Sequence, residues 1–71
     1  MTRRFEFIEG NSAKYWEVSR HEKSVTVHYG RIGTPGNLLV KDFPSEAAAR
    51  KHAEKLIAQK TKKGYQECVA K

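Results

Sequence analysis

The sequence changes its period once. Up to Phe43 the apolar residues recur at every second position, and from Ser45 onward they recur at spacings of three and four. Period two belongs to strands and period 3.6 to a helix. Such a chain is restricted to a run of strands followed by one helix. Arg3-Arg4-Phe5-Glu6-Phe7-Ile8-Glu9 sends Phe5 and Phe7 to one face of a first strand, and Gly10-Asn11-Ser12 supplies a turn. In the second strand, Lys14 to Arg20, Trp16 and Val18 share one side and Tyr15 and Glu17 the other.

After the polar link His21-Glu22-Lys23, a third strand runs antiparallel to the second and places Val25, Val27, Tyr29 and Arg31 on a common face. Ile32-Gly33-Thr34-Pro35-Gly36-Asn37 must be a loop with unusual backbone angles, and Leu38 to Phe43 forms a fourth strand. Ser45 suits a helix N-cap, and Glu46 places an acid in the first turn. Ala49, Ala53, Leu56, Ile57 and Lys60 form one stripe of a helix that runs from Glu46 to about Lys62 and covers the sheet. Gly64 ends that helix, and Tyr65 to Val69 pairs as a last short strand. The expected fold class is α+β, a small antiparallel sheet of about four strands with one C-terminal helix packed across one face. One helix covers one face, so the other face and the rim stay wet and open to a partner.

A chain of 71 residues supports one core, so a single domain is expected over residues 1–71. With 38% apolar and 31% charged residues it has the composition of a folded protein and not of a disordered tail. No apolar run approaches the ~20 residues that cross a bilayer, and the start lacks a secretory signal. Cys68, the only cysteine, cannot close an internal disulfide. A cytoplasmic protein without a membrane partner is expected. Fourteen Lys and Arg against eight Asp and Glu give a net charge of +6, a field that attracts polyanions.

Catalytic machinery is not legible. His21, His28 and His52 fall in separate elements, and no serine or cysteine has an evident base and orienting acid. Without H-x-x-x-H or C-x-x-C spacing there is no metal site to assign, and no cofactor or small-molecule substrate is expected. Gly30-x-x-Gly33-x-x-Gly36 leads into a strand and lacks a Gly-Lys-Ser/Thr ending, so it reads as a strand connection and not as a phosphate loop. Trp16 reads as core.

Tyr29 and Arg31 bracket Gly30 at a strand end. There a tyrosine ring can stack on a sugar or base and an arginine can clamp a phosphate. Tyr29, Gly30 and Arg31 are therefore the leading site. The alternative is that Tyr29 caps the core edge and Arg31 pairs with an acid such as Asp42. Arg3 and Arg4, with Lys51 and Lys55 one helical turn apart, are secondary candidates for phosphate contact.

Tyr29-Gly30-Arg31-Ile32-Gly33-Thr34 resembles the Trp-Gly-Arg-Val-Gly signature of the WGR domain family. Phe43-Pro44-Ser45 before the helix, Lys55-Leu56 within it, and Lys60-Thr61 followed by Tyr65 resemble the family's second half. In DNA-damage-dependent poly(ADP-ribose) polymerases such domains contact DNA near strand breaks and relay that event to neighbouring domains. The motif's tryptophan and arginine fall on Tyr29 and Arg31. These 71 residues contain no polymerase domain, so the resemblance implies no ADP-ribosyl transfer. It implies a non-catalytic module that binds nucleic acid, DNA ahead of RNA, without reading sequence, with strand ends or breaks as a candidate target. The alternative is a protein-interaction or regulatory module docking through an open sheet edge or the wet face.

Overall fold

A computed structural model describes residues 2–68. Its elements in chain order are β1 (Thr2–Glu9), β2 (Ser12–His21), β3 (Ser24–Arg31), β4 (Asn37–Asp42), α1 (Glu46–Lys62) and β5 (Gln66–Cys68). The strands form one antiparallel sheet in the order β4-β3-β2-β1-β5. The sheet thus has five strands, the fifth only three residues long, and the fold is α+β. Val69, the last residue of the expected final strand, lies outside the described residues.

Cross-strand register sorts the side chains into rows. On the helix side, Phe5, Trp16, Tyr29 and Asn37 pair across four strands, as do Arg3, Val18, Val27 and Leu39. Phe7, Lys14 and Arg31 make the end row. Phe5, Val18 and Val25 are fully buried, worth about 1.5–3 kcal/mol each. Ala49 and Ala53 are also buried against this cluster. Their single methyl groups let the helix come close to the sheet.

Both ends of α1 are capped by the residues the sequence indicates. The Ser45 hydroxyl accepts from the Ala48 amide at 3.1 Å. At the other end the amide of Gly64 donates to the Thr61 carbonyl and that of Tyr65 to the Lys60 carbonyl, the Schellman arrangement. It requires the left-handed backbone of Gly64 (φ 107°). Tyr65 is thereby turned back over Lys60 and Phe7, and the chain enters β5.

The β3–β4 connection folds back on its own strand. A Cβ on Gly30 would stand 2.7 Å from the Gly36 Cα, so the two backbones touch. Gly36 is left-handed (φ 68°), and a Cβ there would overlap the Tyr15 hydroxyl and the Tyr29 carbonyl. We expect Gly36→Ala to lower unfolding free energy by about 1–3 kcal/mol in urea titrations, the usual cost of overpacking. Unchanged stability would show that the loop is not held as described.

Candidate nucleic-acid interface

The two faces of the sheet use their charges differently. On the face away from the helix, Arg4, Glu17 and His28 are direct cross-strand partners. Arg4 donates to Glu6 and to Glu17, each at 3.1 Å. His28 Nδ1 lies 3.1 Å from Glu17, and His28 Nε2 reaches the Pro35 carbonyl. The Tyr15 hydroxyl donates to the Thr34 carbonyl at 3.0 Å. Tyr15 is only 4% exposed, sandwiched beneath the Arg4 guanidinium and the edge of His28. This face is a closed network that pins the Thr34–Gly36 loop.

Hydrogen bonding to Pro35, then to Glu17, raises the His28 pKa above the ordinary histidine value. Partial desolvation pushes the Glu17 carboxyl up, but the bonds from His28 and Arg4 outweigh it and hold the group below the usual range.

The helix side carries cations of another kind. Lys14 and Arg31 are register partners in the end row, and the last turn of α1 lies beside them. Lys60 lies over both Trp16 and Tyr65, its ammonium 5.7 and 5.3 Å from the ring centroids. A shallow depression there joins Lys14, Tyr29, Arg31, Lys60 and Tyr65, and a neighbouring one adds Lys63 and Phe7. Partial burial, then the charges of Lys63 and Lys14, hold the Lys60 pKa below that of an ordinary lysine. Among the described residues none of these four cations pairs with an acid.

The expected site residues are therefore only partly brought together. Tyr29, 37% exposed, and Arg31 sit in this corner. Arg31 makes no pair with Asp42, which lies across from Ser24 at the far end of β3 and accepts its hydroxyl. The missing side chain of Gly30 makes room for Gly36. Arg3 is bound by both its Nε and a terminal nitrogen to Glu67 at 2.7 Å and holds that carboxyl low. Arg4 points to the opposite face. Lys51 and Lys55 are exposed on the outer side of α1, away from the buried Ala49 and Ala53. Lys14, Lys60 and Lys63 join Tyr29 and Arg31 instead. The signal for Lys60 was its place on the apolar stripe, where a charged residue is out of keeping.

The sequence matches the WGR domain profile over residues 1–71. The chain belongs to the WGR domain family. That family consists of non-catalytic domains that bind nucleic acid or regulate. This WGR domain is similar to the Escherichia coli protein YfeS, 42% identical over 94% of this chain and 28% of that protein. It is also similar to E. coli protein YehF, 38% identical over 92% of this chain and 24% of that one. A crystal structure of a Bacteroides fragilis protein superposes with a TM-score of 0.94 at 46% identity, covering 97% of this chain and 20% of the other. The WGR domain thus spans about a quarter of the curated relatives it matches. No helix of the structure is long and apolar enough to cross a membrane, and no cluster among the described residues could hold a metal ion.

The His28 clamp gives the domain a pH signature. A histidine whose pKa is raised by folding stabilises the fold fully below its unfolded value, about 6.5, and ceases to do so as pH rises through the folded value. Wild type should therefore exceed His28→Gln in urea stability most near pH 6, with the difference shrinking as pH rises through the His28 titration followed by NMR. A difference that grows toward alkaline pH would contradict the clamp.

Proposed function

We propose that this WGR domain binds nucleic acid, DNA in preference to RNA, without reading sequence, at the corner formed by Lys14, Tyr29, Arg31, Lys60 and Lys63. The observation that carries this reading is the grouping of four cations, without an acidic partner among the described residues, around the exposed Tyr29 and the half-buried Tyr65. Besides its partial burial, Lys60 feels the repulsion of Lys63 and Lys14. A phosphate diester placed among them relieves that repulsion, and its counterions are released. Arg31 offers a two-toothed fork to phosphate, while Tyr29 offers a flat ring to the adjoining sugar or base. Arg3 and Arg4 already have carboxylates and contribute little. The tyrosine ring at position 29 is smaller than the family's tryptophan, so the cations carry a larger share of the affinity.

A second reading, docking of a protein, draws on β4. This edge strand exposes Leu38, Leu39 and Val40. An unpaired edge of that kind can accept an added strand.

Fluorescence anisotropy with a labelled duplex at several salt concentrations tests the first reading. Arg31→Ala and Lys60→Gln should each weaken binding by about tenfold and reduce the log–log salt slope by roughly one. Lys51→Ala, Lys55→Ala and Arg3→Ala should have much smaller effects. Affinity indifferent to salt, or lost equally in all five variants, would defeat the assignment.

A further inference from the structure

The helix does not cover the sheet evenly. Ala49 and Ala53 seat α1 on Phe5, Trp16, Val18 and Val25, near the middle strands, and leave the inner side of β4 bare. Between α1 and β4 runs an open groove of about 360 Å³, within the size range of small-ligand sites. Val25, Val27, Leu39 and Leu56 make it apolar, and one end reaches the Trp16 indole and Tyr29. Leu39, 58% exposed, adds to this apolar stretch beside Val25, Val27 and Leu56. Lys41, Lys60 and Lys63 line the groove, and no Asp or Glu stands among the described lining residues.

The groove is continuous with the cationic corner, since Trp16, Tyr29 and Lys60 line both. The neighbouring depressions add Lys14 and Arg31 and likewise contain no acid. All eight acids of the chain lie elsewhere. The surface thus combines an apolar slot with a track of positive charge longer than one anion needs. Its occupant must carry repeated negative charges and an apolar group beside one of them. We infer that the groove seats the base of an unpaired nucleotide whose flanking phosphates lie on Lys60, Lys63 and Arg31.

This inference rests on the proposed nucleic-acid binding and adds what the ligand must offer: a single-stranded end or tail next to duplex. A paired base cannot enter the groove, because its faces are stacked inside the helix. Apart from the lysines, the side-chain polar groups in the lining are those of Gln59 and His52, the Tyr29 hydroxyl and the N–H of the buried Trp16 indole. His52 is packed against the Phe43 ring. Base identity therefore goes largely unread, and stacking and apolar contact accept any base.

The test compares a blunt hairpin duplex, the same duplex with a short oligothymidine tail, and free oligothymidine. Binding is read by anisotropy and by the emission of Trp16, the chain's single tryptophan. A tail should tighten binding about tenfold, as one base contact does, and should change Trp16 emission. Leu39→Asn should return the tailed duplex to the affinity of the blunt one. Leu38→Asn, the same change on the opposite face of the same strand, should leave the gain intact. Blunt binding without any gain from the tail would overturn this inference alone, as would a gain that survives Leu39→Asn. Failure to bind any of the three at low salt would remove the proposed function with it. If an acidic, leucine-bearing peptide alters Trp16 emission and the tail does not, the groove belongs to a protein partner and the inference is wrong.

Discussion

The close seating of Ala49 and Ala53 on Phe5, Trp16 and Val18 determines most of what the rest of the molecule presents. Small side chains on a helix shorten the distance to the sheet, and the large rings then fill the space on either side. Once that contact is fixed, the end of the helix must pass over the Trp16 row. Lys60 therefore lies across an indole, its ammonium partly buried over the Trp16 and Tyr65 rings. The uncovered flank along β4 follows from the same contact, because one helix cannot span five strands.

Charge is partitioned by this geometry. The far face brings acids and bases into adjacent positions of the β1–β2–β3 register, where they neutralise one another and hold the glycine-rich loop. The β5 edge does likewise with Arg3 and Glu67. Four of the cations that these acids leave unpaired, Lys14, Arg31, Lys60 and Lys63, are gathered at one corner on the helix side, while others such as Lys51 and Lys55 stand on the outer side of α1. Four cations close together give that corner a more directed field than the same four dispersed over the surface would. The corner's basicity comes from where the acids are as much as from where the lysines are.

Much of this architecture could be read from the residues. Alternation marked the strands and their faces, Ser45 marked the start of the helix, and Gly64 marked its end. Tyr29 and Arg31 stood out from strand position and from the family signature alike. Arg3 and Arg4 could not be judged in the same way. Their partners Glu67 and Glu17 are 64 and 13 positions away, and only the register of β5 against β1 and of β1 against β2 brings them together. Lys14 shares the parity of Trp16 and Val18 and so was legible as a residue of the helix side. Its meeting with Lys60 and Lys63 depends on how α1 packs across the sheet, which no local pattern encodes. Tyr15 read as an outward residue, yet the folded-back loop buries it.

The antiparallel pairing of Arg4 with Cys68 sets the first and last described strands side by side. β1 accordingly begins and β5 ends at the same end of the sheet, on adjacent strands about 5 Å apart. Phe7, Lys14 and Arg31 stand at the other end. Any polypeptide joined before Thr2 or after Cys68 attaches as to a handle, with the cationic corner at the opposite end of the sheet. A host protein could carry such a unit in a loop or at either terminus without being forced apart and without shadowing the corner. The topology thus makes the domain portable.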